Sequence, residues 1–123
     1  MARTAELPAT SAAARDRVHE LLRAHHPHVD ETVVADALLV TSELVTNALR
    51  HAGGVTGFAA RITSGRLVVT VEDASPLRPF VPTDFQDGRI GGYGWSLIRR
   101  LATSVAITTT PTGKSINAAL RLS

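Results

Sequence analysis

The sequence predicts an α+β fold, a two-layer α/β sandwich with helices on one face of a mixed, mostly antiparallel sheet. The order of helical and β-prone segments predicts this class. Segments with helical spacing alternate with two pairs of β-prone runs, in the order helix, helix, hairpin, long loop, helix, hairpin. Antiparallel hairpins with helices between them favour helices layered on one side of a sheet. Because the chain has 123 residues, 44% of them hydrophobic, we expect one domain over residues 1–123.

Apolar periodicity predicts three helices. The first covers about residues 11–24 and ends in "HHPHVD", because proline disfavours helix at the residue before it. Asp30 caps a second helix over about residues 31–52, which ends at the glycine pair that follows it. The third helix begins at about Tyr93, in "YGWSLIRRLATS".

Two hairpins supply the strands of the predicted sheet. "VTGFAARITSGRLVVTVED" consists of two β-prone runs joined at Ser64-Gly65, which is a hairpin signal. "VAITTTPTGKSINAALRLS" turns at about residues 111–113 and closes the chain as a second hairpin. Between the two hairpins, "ASPLRPFVPTDFQDGRIGG" is rich in proline and glycine and predicts a long loop, a feature that is usually functional or mobile in a compact domain.

Composition argues against several classes of protein. The pI of 9.9 reflects the high pKa of arginine, which makes up twelve of the thirteen basic residues, while the net charge is only +2. The arginines form no basic stripe and aromatic residues are few, so we expect no nucleic-acid partner. No apolar run reaches the length of a membrane span, the N-terminus lacks a signal-peptide core, and cysteine is absent. We therefore expect a cytoplasmic protein without a membrane partner.

The second helix carries a line of polar residues beside its apolar stripe. Glu43, Asn47 and His51 recur every four residues, about 100° around the helix from the residues that face the core. A carboxylate and an amide oxygen one turn apart suit a magnesium–phosphate site, because magnesium prefers oxygen ligands. The carboxylate could also take a proton from an attacking hydroxyl. The alternative is an ordinary solvated helix surface.

Three further motifs have both a functional and a structural interpretation. Asp73, after the run "LVVTVE", is either an Asx turn at a strand end or an acceptor for the amino group of a base such as adenine. The glycines in "GGYGWSLIRRLA" either give a flexible entry to a helix or present free backbone amides to phosphate. "TGKS" is not a P-loop, because Thr108 stands where the Walker pattern needs glycine, and a hairpin turn is the better interpretation.

The order of these motifs resembles that of the GHKL (Bergerat-fold, HATPase) superfamily of ATPases and kinases, which includes gyrase, Hsp90, histidine kinases and MutL. Within it, the chain is most similar to the small bacterial anti-sigma-factor serine kinases. "SELVTNALRHA" resembles the N box, "VEDASPLRP" the first glycine box, and "GGYGWSLIRRLA" the second. The resemblance extends from about Leu7 to Leu122.

The resemblance implies a role for each matching residue in the N box. It implies that Glu43 is the general base, that Asn47 binds magnesium on the phosphates of ATP, and that Arg50 and His51 approach phosphate. Outside the N box, it implies that Asp73 reads adenine and that Gly92 and Gly94 belong to the phosphate lid. Ser115 matches a hydroxyl position near adenine.

The function that the resemblance implies is an ATP- and magnesium-dependent protein serine/threonine kinase that regulates transcription. It would sequester a sigma factor, phosphorylate an anti-sigma antagonist and act as a monomer or a homodimer. Two departures from the family pattern motivate an alternative, a catalytically weak, ATP-gated protein-binding module. Residues 74–76, "ASP", follow Asp73 where the superfamily has glycines, and Trp95 replaces the usual leucine after the last lid glycine.

Overall fold

In the computed structural model, residues 6–51, 53–76 and 90–123 are described, with the backbone alone at residues 51 and 90–93. Helices and strands alternate as the sequence predicts, which confirms the α+β class. The elements in chain order are α1 (Ser11–His25), α2 (Glu31–His51), β1 (Val55–Thr63), β2 (Arg66–Asp73), α3 (Ile90–Leu101), β3 (Ser104–Thr110) and β4 (Gly113–Arg121).

The four strands form one sheet in the order β1-β2-β4-β3. All three pairings are antiparallel, so the described strands contain none of the parallel pairing that a mixed sheet would need. The chain leaves β2, passes through α3 to the edge strand β3, and returns through β4 to the centre of the sheet. This crossover makes Asp73, the last residue of β2, the direct partner of Lys114 near the start of β4.

Both predicted hairpins are present. Ser64 and Gly65 have φ angles of 52° and 72°, and the strand pairing closes around them at Thr63 and Arg66. Positive φ at both central residues matches the twist of the flanking strands, as in the tight turns of two-residue hairpins. In the second hairpin, Thr110 pairs with Gly113 across the predicted turn.

All three helices contribute to one hydrophobic core on one face of the sheet. Alternate residues of β2 and β4 point toward this core, because successive side chains of a strand lie on opposite faces. Thr41 is fully buried within the apolar stripe of α2, and its hydroxyl donates to the carbonyl oxygen of Ala37 at 2.8 Å. The fully or nearly fully buried core comprises Ala14, Val18, Leu22, Ala37, Val40, Leu44, Val45, Ala48, Leu67, Val69, Val71, Trp95, Ile98, Ile116, Ala118, Leu120 and Leu122.

The N-terminal cap and the C-terminal turn of α2 agree with the sequence. The Asp30 carboxylate accepts a hydrogen bond from the N–H of Thr32 at 3.0 Å, which confirms the predicted cap. At the C-terminus of α2, Gly53 has a φ of 77°, and the N–H of Gly54 donates to the carbonyl of Ala48 at 2.9 Å. Ala52, the last residue of the predicted helix, lies outside the described residues.

The third helix begins earlier than its spacing predicts. It starts at Ile90 rather than at Tyr93, so Gly91 and Gly92 belong to its first turn and not to the preceding loop. The rest of the predicted loop, residues 77–89, lies outside the described residues. Glycine is a poor helix former in an exposed helix, and the packing of Gly94 described below accounts for one of the glycines in this helix.

One stretch among the described helices, Glu31–Arg50, has the length and mean hydropathy (1.3) of a membrane span. A core helix of a globular domain satisfies the same criterion. The apolar stripe of α2 is buried against the sheet and the other helices, as such a core helix would be.

Candidate functional site

The polar line of α2 lies at the edge of the core. Glu43 and Asn47 are both half-buried, while Arg50 is exposed. The Nδ2 atom of Asn47 is buried and has no hydrogen-bond partner among the described residues. A buried amide without a partner is unfavourable, because it has lost water without gaining a protein acceptor. This amide is therefore available to a ligand. His51 ends α2, and its side chain lies outside the described residues.

Helix α3 lies directly against Glu43. A β-carbon added at Gly94 would collide with the end of the Glu43 side chain, so glycine at this position lets α3 approach the carboxylate without displacing it. Gly94 is buried, and Gly92 lies two residues earlier in the same helix. The structure thus brings Gly94 of the second glycine motif to Glu43 of the predicted N box.

The C-terminus of α2 lies beside the end of β2. A β-carbon at Gly53 would be 3.9 Å from the β-carbon of Ala74, the residue that follows Asp73. Since Gly53 comes two residues after the end of α2, the helix edge and the strand end are neighbours. Helix α2 and the turn after it therefore contact both other predicted motifs, α3 at Glu43 and the end of β2 beside Gly53.

Asp73 has a buried partner that the sequence analysis missed. Its carboxylate forms an ion pair with the ammonium group of Lys114, with Nζ–Oδ2 and Nζ–Oδ1 distances of 3.0 and 3.2 Å. The side chains of Lys114 and Asp73 are only 5% and 3% exposed. Asp73 Oδ1 also accepts from the N–H of Ser75 at 2.9 Å, which is the predicted Asx turn. The sequence does indicate that Lys114 is buried. Side chains alternate between the two faces of a strand, so position 114 shares the inner face with Ile116 and Ala118.

Ser115 lies on the opposite face of the sheet from the side chain of Asp73. Its direct partners on the neighbouring strands are Glu72 and Thr108, which share the outer face with it. A cavity of about 510 Å³ opens at this end of the sheet, and both Asp73 and Ser115 are among its lining residues. The two side chains point to opposite faces, because one step along a strand reverses the face, so the role of Ser115 near adenine stays a prediction.

The donor atoms of α2 fit a magnesium-bound phosphate group. Magnesium takes oxygen ligands and retains several waters, so one amide oxygen and a nearby carboxylate are a sufficient protein contribution. The unpartnered atom is Nδ2 of Asn47, a donor that can meet a phosphate oxygen but cannot coordinate a cation, so this observation supports the phosphate part of the fit. Either end of the amide serves such a ligand, the oxygen toward a cation and the nitrogen toward a phosphate oxygen.

Comparison with solved structures yields several histidine kinases. The Erythrobacter litoralis EL346 blue-light activated histidine kinase has 29% sequence identity over 76% of this chain, with a TM-score of 0.55. A structure of its histidine kinase domain matches over 98% of this chain at 21% identity and a TM-score of 0.57. The Acinetobacter baumannii histidine kinase AdeS matches over 88% at 15% identity and a TM-score of 0.53. For the two structures with 21% and 15% identity, the similarity shows a shared fold only.

This chain spans 32%, 66% and 64% of the lengths of those three structures. No curated protein matches its sequence. The family of histidine kinase-like ATPase domains matches residues 4–120, which is nearly the whole chain. This confirms the predicted GHKL superfamily, while the anti-sigma subtype stays a proposal. On the sequence match and on the contacts of the α2 segment with α3 and with the end of β2, the chain belongs to the histidine kinase-like ATPase domain family.

Proposed function

We propose that the protein binds ATP and magnesium and acts as an anti-sigma-type serine/threonine kinase. It would hold a sigma factor and phosphorylate a small protein that antagonises this binding. The observation that supports this function best is that the α2 segment contacts both of the other predicted motifs. Glu43 contacts Gly94 of α3, and Gly53, just after α2, lies beside Ala74 at the end of β2.

The nucleotide would lie across these three segments. Asp73 at the strand end would accept a hydrogen bond from the amino group of adenine, since a carboxylate is an acceptor. The phosphates would extend toward the edge of α2 and the first turn of α3, where Gly92 lies. Backbone amides in the first turn of a helix have no partner within the helix and favour anions. Arg50, exposed near the end of α2, would add positive charge.

Glu43 and Asn47 would serve different steps of the reaction. Asn47 would hold the phosphate group with its amide, and magnesium, when bound with ATP, would neutralise the phosphate charge. The serine hydroxyl oxygen of the antagonist would form a bond to the γ-phosphorus while the bond from that phosphorus to the bridging oxygen of ADP breaks. Glu43 would take the hydroxyl proton.

Replacement of Glu43 tests this assignment. If Glu43 acts on the attacking hydroxyl, Glu43→Ala should leave ATP affinity within a few-fold and lower the rate of phosphoryl transfer by roughly 10²- to 10⁴-fold. The measurement is transfer of radiolabelled phosphate to antagonist proteins encoded near the gene, with ATP affinity measured by calorimetry. Acid-stable label on serine, rather than acid-labile label on histidine, identifies the acceptor. If the Glu43→Ala variant transfers phosphate at the wild-type rate, another group is the base.

The second candidate is an ATP-gated binding module without useful phosphoryl transfer. The contact between the Glu43 carboxylate and Gly94 favours it, because α3 covers part of the group that would act as the base. This candidate predicts that ATP changes the affinity for a protein partner while no phosphate reaches that partner. If the protein binds ATP and transfers labelled phosphate to a bound antagonist, the kinase is supported. If it binds ATP but transfers no label, the binding module is supported.

We also propose a cytoplasmic location. A sigma factor and its antagonist act where transcription takes place, and ATP is abundant there. Cell fractionation with an epitope-tagged chain tests this location, and recovery of the protein in the membrane fraction would contradict it.

A further inference from the structure

Lys114 has no role in the proposed reaction, yet it is the most enclosed cation in the described part of the chain. Its ammonium group donates to Asp73 Oδ1 at 3.2 Å and to the carbonyl of Ser75 at 3.1 Å, and lies 3.0 Å from Asp73 Oδ2. A buried ion pair is seldom more stabilising than an apolar pair of similar volume, because both charges lose water. Stability alone is therefore a poor reason for this lysine.

The donors of Lys114 and the acceptor sites of Asp73 show which hydrogen-bonding site remains for a ligand. A lysine ammonium has three donors, and three acceptor atoms lie within hydrogen-bonding distance of this one. Lys114 donates hydrogen bonds to two of these acceptors, Asp73 Oδ1 and the carbonyl of Ser75, and its contact with Oδ2 is an ion pair. Asp73 Oδ1 accepts from Ser75 N–H and from Lys114, whereas Oδ2 contacts only Lys114 among the described residues. Each carboxylate oxygen has about two acceptor sites. Among the described residues, one site on Oδ2 therefore remains, on a carboxylate that Lys114 and the Asx turn hold together.

We propose that Lys114 is a positioning residue that fixes the Asp73 carboxylate so that Oδ2 accepts the 6-amino group of adenine. This inference rests on the proposed function and adds to it the residue that sets base specificity. Purines with an oxygen at position 6 would place an acceptor against the carboxylate. Two buried acceptors facing each other leave both without a donor, and sites built for a hydrogen bond discriminate strongly against such a mismatch.

The test compares ATP with ITP, whose base has a 6-oxo group in place of the 6-amino group. The full-length chain binds each nucleotide with magnesium, and calorimetry gives both dissociation constants. We expect the wild type to prefer ATP by at least about 10-fold. Lys114→Met removes the ammonium and keeps a long side chain, so the preference should fall at least about fivefold, through weaker ATP binding and nearly unchanged ITP binding.

Two further variants make the test decisive. Arg121→Met removes a cation from the exposed end of the same strand, and its ATP-to-ITP ratio should equal that of the wild type. Circular dichroism and a thermal melt confirm that each variant folds. If Lys114→Met does not fold, Lys114→Leu, which likewise removes every donor to the carboxylate, is judged by the same ratio.

The outcomes distinguish failure of this inference from failure of the proposed function on which it rests. A folded Lys114 variant with the wild-type ratio overturns the inference, and so does equal weakening of ATP and ITP, which is the result of a purely structural role. A wild type that binds ATP and ITP equally overturns base reading by Asp73 but leaves nucleotide binding intact. A wild type that binds neither overturns the proposed function as well.

Discussion

The end of β2 and the edge of α2 hold their polar groups in opposite ways. At the strand end, Asp73 and Lys114 are almost fully buried, and each has more than one protein partner. At the helix edge, Glu43 and Asn47 are half-buried, and the Asn47 amide nitrogen has no partner among the described residues. The protein itself completes the first region, whereas the second is left for α3 and a ligand to complete.

This contrast indicates which polar groups the protein holds in place and which can move when a ligand binds. Charges that are buried and bonded hold one geometry, because any movement leaves a charge without a partner in a poorly solvated place. Groups that are half-buried and unbonded can move at little cost. A site that reads a base needs the first property, and a site that grips and transfers a phosphate needs the second. Three substitutions test this contrast, and they are ordered by the size of the expected effect.

Asp73→Asn should produce the largest loss of stability. It leaves the Lys114 ammonium buried beside a neutral amide, and breaking one side of a buried pair costs about 3–5 kcal/mol of the free energy of unfolding. Urea denaturation measures this loss. The double variant Asp73→Asn/Lys114→Met removes both charges and should recover most of it. A single variant less than about 1 kcal/mol below the wild type would show that the strand end is not held by the ion pair.

Gly94→Ala should produce an intermediate loss. The added methyl group meets the Glu43 carboxylate, so either α3 or the Glu43 side chain must shift. Because this carboxylate ends a flexible, half-buried side chain, we expect a loss at the low end of the range for overpacking, about 1 kcal/mol. Ser96→Ala, at an exposed position of α3, is the matched control and should change stability by less than about 0.5 kcal/mol.

A double-mutant cycle with Glu43→Ala identifies the cause of that loss. If the clash with the carboxylate is responsible, Gly94→Ala should cost little once Glu43 has been shortened. Additive losses would instead assign the effect of Gly94→Ala to the backbone of α3.

Asn47→Ala should have the smallest effect on the nucleotide-free protein. It removes a buried amide that lacks a partner, so stability should change by less than about 1 kcal/mol. The same variant should lose most of the rise in melting temperature that magnesium and ATP give the wild type, because a ligand stabilises only a folded state that binds it. Thr46→Ala, the adjacent position on α2, is the control. An unchanged thermal shift in Asn47→Ala would remove this residue from the site.

Periodicity predicts most of the fold, and pairing across the sheet explains most of what it misses. The apolar stripe of α2, the Asp30 cap and the Ser64-Gly65 hairpin follow from local sequence, and the structure has all three. The ion pair joins residues 41 positions apart, so no local pattern reveals it. Strand alternation could have placed Lys114 inward and Ser115 outward, had the register of β4 been known.

The start of α3 shows a different limit of the sequence. Two consecutive glycines before Tyr93 indicate a flexible entry, because glycine weakens a helix. The structure includes them in α3 and places Gly94 where a side chain would collide with Glu43. The need for a close approach between two helices cannot be deduced from either helix alone.

The position of Trp95 gives the protein an intrinsic optical probe. It is the single tryptophan of the chain, it is 4% exposed, and it follows the glycine that contacts Glu43. The emission wavelength of an indole depends on whether water reaches it. A ligand that moves α3 away from the core would therefore shift the fluorescence of the unlabelled protein to the red, and one that leaves α3 packed would leave the emission blue. Stopped-flow fluorescence with unmodified protein could then follow how fast α3 responds to nucleotide.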